Sequence, residues 1–144
     1  MAAHTMDQKR CAAAHAAVSA HASPDFASRA RELPTMLRRN GIGQTLAFHM
    51  PMGDAPSAVA KRAVREGLDA WVGTNVLGPT WRNGLRGEQN SLLAQLMKKD
   101  RDVWWHAQRE AEAYAIWLKR WAEALIPSDS ATPRGAHTND TPSA

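Results

Sequence analysis

Six histidines, one cysteine and several paired cations are the residues of this chain whose types could do chemistry. His4, His15, His21, His49, His106 and His137 never fall three to five apart, the spacing that sets two imidazoles on one helix face as metal ligands, and there is no His-Glu-x-x-His or Cys/His cluster. His49 and His106 would have to meet in space to act as an acid–base pair on a phosphodiester, and nothing in the sequence brings them together. Cys11 stands alone, which excludes an intrachain disulfide and a cysteine-based zinc site. No Gly-x-Ser-x-Gly elbow or Walker-type loop is present. Gly41-Ile42-Gly43 lacks the preceding strand that a dinucleotide-binding turn requires, so it reads as a turn between helices. The expectation is a chain that is not an enzyme and takes no cofactor and no metal.

The cations are the stronger signal. Eighteen basic residues oppose 14 acidic ones, a formal net charge of +4, which permits an anionic partner without requiring one. Thirteen of the eighteen are arginine, whose planar fork matches phosphate better than a lysine does. Arg29, Arg31, Arg38 and Arg39 against Glu32 make residues 28–40 net +3, the most basic stretch of the folded part. Such a stretch suits an anionic partner or another protein surface, and the sequence leaves both open. Arg38-Arg39, Lys61-Arg62 with Arg65, and Lys119-Arg120 each put two or more cations within a helical turn. Lys61 and Arg65, four apart, share a face, as do Arg62 and Arg65, three apart. Such surfaces neutralise phosphates without reading bases; alternatively they are solvated helix faces with local acidic partners. Lys98-Lys99, beside Asp100 and Asp102, takes the second reading.

Six tryptophans are many for 144 residues. Trp117 and Trp121 follow an apolar stripe, which favours packing over base stacking. Trp81 and Trp105 are the candidates for exposed aromatics at a subunit interface.

The elements that must position these residues are helices. Residues 6–22 are Ala-rich without Gly or Pro, a helix that leans on a partner or frays. Ser23-Pro24-Asp25 reads as a stop and restart. Phe26, Ala30, Leu33, Met36 and Leu37 recur at three and four, with a kink predicted near Leu33-Pro34. Asn40-Gly41 ends that segment, and a short helix follows from Gly43 to Met50, with Gln44 and Thr45 placed to hydrogen-bond its first amides. Ser57 is a candidate cap for a helix whose apolar face is Val59, Ala63, Val64, Leu68, Trp71 and Val72, broken at Gly78-Pro79. Arg82 to Gly87 is irregular, and Leu92, Leu93, Leu96 and Met97 form another short helix starting near Glu88. Val103, Ala107, Ala111, Tyr114, Trp117 or Leu118, Trp121 and Leu125 mark a long last helix, which Pro127 ends. No two-residue alternation calls for a strand. The predicted fold is all-α, a compact bundle of five or six helices. Its organisation is an Ala-rich helix over 1–22, a bundle over 23–126 and a disordered tail over 127–144. No apolar run reaches the roughly 18 residues of a membrane span, and residues 1–22 lack the apolar core of a signal peptide, so the expected location is cytoplasmic.

Two stretches carry a family resemblance. Residues 31–48, Arg-Glu-Leu-Pro-Thr-Met-Leu-Arg-Arg-Asn-Gly-Ile-Gly-Gln-Thr-Leu-Ala-Phe, and residues 112–126, containing Trp117-Leu118-Lys119-Arg120-Trp121-Ala122, resemble the small subunit of the Cmr-type (type III-B) CRISPR effector complex. The likeness covers roughly Pro24 to Ile126; Met50-Pro51 cuts short a helix that often runs on in that family. It implies a catalytically silent helical protein of antiviral defence. Copies of such a subunit stack in a short filament beside the backbone and large subunits and line the groove where guide RNA pairs with target RNA. On that reading Arg38, Arg39, Lys61, Arg62, Arg65, Lys119 and Arg120 are the RNA-binding candidates, and Trp81, Trp105, Arg29 and Arg31 the subunit-interface candidates. A helical assembly adaptor without RNA contact is the alternative. A helix-turn-helix DNA reader with its turn near Gly41 fits poorly, because its recognition helix would be short and without Arg or Lys.

Overall fold

The computed structural model describes residues 3–127. Five α-helices carry the chain: α1 (Met6–Ala20), α2 (Pro24–Phe48), α3 (Pro56–Val72), α4 (Leu92–Leu96) and α5 (Arg101–Leu125). A π turn over Gly73–Leu77 continues α3, and a 3-10 turn over Gly87–Asn90 leads into α4. No strand occurs among the described residues.

The long last helix is the spine. Asp100 caps it by accepting from Val103 N–H at 3.0 Å, and Ala107, Ala111, Tyr114, Ala115, Leu118 and Ala122 are buried along one stripe. Against that stripe α2 lays Phe26, Ala27, Ala30, Leu33 and Leu37, and α3 adds Ala60, Val64, Leu68 and Val72. The small residues of α5 let its neighbours approach closely, so one continuous core joins α1, α2, α3 and α5.

The Ala-rich helix belongs to that core rather than standing apart from a bundle that begins at residue 23. It opens with a capping box: the Thr5 hydroxyl accepts from Gln8 N–H at 3.0 Å, and Gln8 Oε1 accepts from Thr5 N–H at 2.7 Å. Only Ala14 and Val18 are fully buried on it, and polar ties to α5 make up the difference. Trp117 Nε1 donates to Asp7 at 3.0 Å, Trp121 Nε1 donates to the Cys11 carbonyl at 3.1 Å, and Arg10 grips Glu110.

The break in α2 falls at Gly41, not at Leu33-Pro34. Gly41 has φ 84° and ψ 165°, the one residue of the helix outside helical dihedrals, whereas Pro34 is buried within a continuous helix. Proline costs a helix interior about 3 kcal/mol, and burial of Phe26, Ala30, Leu33 and Leu37 on α5 outweighs it. Two other expectations change. Pro56 opens α3 with no side-chain cap from Ser57, and Val59 is exposed while Ala58 and Ala60 face the core. The tail expected to be disordered lies, beyond Pro127, outside the described residues.

Candidate functional site

The chemistry of this surface depends on which cations keep their charge. Among the described residues, five arginines have carboxylate partners. Arg10 meets Glu110 through two nitrogens, at 2.5 and 3.0 Å, and reaches Asp7 at 3.2 Å. Arg65 binds the fully buried Asp69 at 3.0 Å, and Arg82 binds Glu66 at 2.6 Å and Asp69 at 3.6 Å. Arg29 reaches Glu32 at 3.0 Å, and Arg120 reaches Glu123 at 3.4 Å. The predicted trio Lys61, Arg62 and Arg65 is therefore divided. Arg65 is neutralised inside its own helix, while Lys61 and Arg62 have no carboxylate partner among the described residues.

Lys61 and Arg62 are held by uncharged groups. Lys61 Nζ lies 4.1 Å from the centre of the Phe48 ring, and Arg62 Nη1 donates to the Pro51 carbonyl at 2.8 Å. Arg29 approaches the same ring at 6.0 Å. Behind them His49 is buried and donates from Nδ1 to the Thr45 carbonyl at 2.8 Å. Burial first, then the nearby Arg29 and Lys61 charges, hold its pKa below the ordinary histidine value. His106, by contrast, is exposed on α5, and no hydrogen bond or ring contact joins the two histidines.

On α2, Arg31, Arg38 and Arg39 have no ion-pair partner among the described residues. They do not form one patch. Arg31 and Arg39 share a recess of about 430 Å³ with Glu32, Thr35, Met36 and Asn40. Arg38 lines a second recess of about 320 Å³ with Trp104, Trp105, Gln108 and Glu112. Lys119 is partly exposed on α5, next to the Glu123-bound Arg120. Trp105 is exposed, at 57%, as expected of an interface aromatic. Trp81 is not: it is half-buried, its indole lying where a Cβ on Gly73 would stand, with the Arg82 guanidinium 4.6 Å above it.

Two polar centres escaped the sequence reading. Glu110 on α5 is 7% exposed and accepts from Arg10 of α1 and, at 2.7 Å, from Trp71 Nε1 of α3, so it joins three helices. The Arg10 hydrogen bonds hold its carboxyl below the usual range. Asp69 is wholly buried and, besides Arg65 and Arg82, accepts from Leu92 N–H at 3.4 Å, which fastens the start of α4. Burial pushes its pKa up to about 6, against the pull of Arg65.

The Asn40–Phe48 block has a structural explanation. Where α2 breaks, Gln108 of α5 accepts from Ile42 N–H at 2.7 Å and donates to the Leu37 carbonyl at 2.9 Å. The sequence pointed to Gln44 and Thr45 for such tasks; Gln44 is exposed, and the Thr45 hydroxyl is buried without a partner. Gly43 is required by proximity, since a Cβ there would lie 2.8 Å from the Trp104 ring.

The family model for a CRISPR-associated protein, Cas_Cmr5, matches residues 6–125, which is nearly the whole described chain. The chain belongs to the Cmr5 family. A crystal structure of a CRISPR-associated Cmr5 family protein from Thermus thermophilus is similar to it, with a TM-score of 0.64 and 25% sequence identity over 87% of this chain and 100% of that one. No curated protein matches. Cmr5 membership supports a place as a subunit of a Cmr-type, type III-B, CRISPR complex. Among the described residues no helix is long and apolar enough to cross a membrane.

Proposed function

We propose that this Cmr5 protein is a non-catalytic small subunit that lines the guide RNA–target RNA groove of its complex, stacking with copies of itself and with the backbone and large subunits in antiviral defence in the cytoplasm. The observation that carries the reading is the set of unpaired arginines on α2. Arg31, Arg38 and Arg39 have no ion-pair partner among the described residues, while the buried acids Asp69 and Glu110 are spent on the protein's own arginines. Arg31 and Arg39 are eight residues apart, about 12 Å along a helix, so a strand running along α2 meets both. Contacts of this kind bind phosphates whatever the bases, which suits a subunit that must accept any guide. His49 and the two buried carboxylates are committed to structural hydrogen bonds, which supports a silent role.

The test is charge neutralisation in the assembled complex. Arg31→Gln with Arg39→Gln should weaken target RNA capture and flatten its dependence on salt, by about 0.7–0.9 in the log–log slope for each phosphate no longer neutralised. An unchanged slope would mean a solvated face. The second reading, an assembly adaptor that never touches RNA, rests on the exposed Trp105 beside Arg38.

A further inference from the structure

At the end of α2, two cations rest on an aromatic ring and a carbonyl instead of on a carboxylate. Phe48 is the last residue of the helix and 44% exposed. An exposed phenylalanine alone needs no explanation. Here its ring seats Lys61 Nζ at 4.1 Å and has the Arg29 guanidinium at 6.0 Å, while Arg62 is fixed on the Pro51 carbonyl at 2.8 Å. Three cations thus converge on one end of the bundle, and Glu32, itself largely exposed, is the one carboxylate bound to any of them among the described residues. An aromatic face and a carbonyl fix a cation without cancelling its charge. Carboxylates do both, as at Arg65 and Arg10.

A cation ordered in advance and left uncompensated is what an anionic ligand needs, because the entropy of fixing a long side chain is then lost before binding rather than during it. We infer that Lys61 and Arg62 form a site for neighbouring phosphodiesters of an RNA backbone, with the Glu32-paired Arg29 at its edge, and that Phe48 is its positioning residue. This rests on the RNA-lining reading above and adds a second contact region, distinct from the Arg31–Arg39 recess. Phe48 contributes no charge to it. It sets where Lys61 stands.

The experiment measures target RNA affinity of the assembled complex at several salt concentrations, with Lys61→Gln, Phe48→Leu, Phe48→Tyr and the Phe48→Leu/Lys61→Gln pair in this chain. Lys61→Gln should weaken binding and reduce the salt slope by about one for each copy that touches RNA. Phe48→Leu should weaken binding by about threefold to tenfold with the slope kept, since the charges remain. Phe48→Tyr, which keeps the ring, should bind as the unaltered chain does. The pair should lose little beyond Lys61→Gln alone, because the ring acts through the lysine. Phe48→Leu binding as the unaltered chain, or losses that simply multiply in the pair, would overturn the role of Phe48 while leaving the RNA-lining reading in place. If Lys61→Gln is itself without effect while Arg31→Gln with Arg39→Gln weakens capture, this site is not used. If neither has an effect, the RNA-lining reading falls with it. Thermal melting of each isolated variant separates damage to the fold from weaker RNA binding, and Phe48→Tyr tests the ring without removing packing.

Discussion

Gln108 and Ile42 are 66 residues apart and joined by one hydrogen bond of 2.7 Å, the Gln108 side-chain oxygen accepting from the Ile42 amide. With the Gln108 amide on the Leu37 carbonyl at 2.9 Å, a single side chain satisfies both backbone groups that the Gly41 break strands in the interior. Gln108→Leu keeps the bulk and removes both bonds. At 1–3 kcal/mol for each buried group left unpaired, the expected cost is about 2–4 kcal/mol, read as a lower urea midpoint with an unchanged slope. A shift below about 0.5 kcal/mol would show that the break is self-sufficient.

Much of the fold was legible because it is local. Periodicity marked the buried face of α5, and Asn40-Gly41 marked the end of a helical segment, since a residue with a Cβ resists a positive φ. Pro34 misled because propensity is a local prior and packing is not; Leu33 and Leu37 on either side hold the helix together. The polar centres were illegible for the opposite reason. Glu110 meets Arg10 from 100 residues away, and no spacing rule connects them. The candidate site was half legible: the arginines of α2 stood out by composition, but only the fold could show that Arg65 is spent on Asp69 and that Phe48 seats Lys61.

Glu110 is the tie that lets a weakly apolar α1 join the core. Glu110→Ala leaves Trp71 without its acceptor and Arg10 with the exposed Asp7 alone, and should cost about 3 kcal/mol. The loss should concentrate in faster amide exchange across α1. Uniform loss of protection across all helices would contradict the local role. Because Arg10 lowers the Glu110 pKa, this contribution is present above the ordinary carboxylate range and disappears as pH falls through the folded value.

Asp69 and His49 should impose opposite pH trends. The Asp69 pKa is raised to about 6, so the folded state holds its proton more tightly than the unfolded chain does. Its contribution is full below about 4 and declines as pH rises through about 6. His49 is lowered, so its contribution is full above about 6.5 and lost as pH falls. Unfolding free energies measured from pH 4 to 8 should therefore show the unaltered chain losing ground to Asp69→Asn as pH rises, and losing ground to His49→Gln as pH falls. Parallel curves would contradict both assignments.

The two interface tryptophans should part company. Trp81→Ala opens a cavity over Gly73 and should destabilise the isolated chain by about 3 kcal/mol. Trp105→Ala should stay within about 0.5 kcal/mol in isolation, being exposed, yet weaken incorporation into the complex. Equal melting losses for the two would mean that Trp105 is a packing residue after all.

Whether this Cmr5 chain touches nucleic acid is best settled by photocrosslinking guide and target RNA in the assembled complex and mapping the attached peptides. Crosslinks to this chain should come from two regions, residues 29–39 and residues 48–62. A complex that yields none from this chain, yet falls apart when the chain is omitted, would contradict RNA lining and leave a protein adaptor in its place.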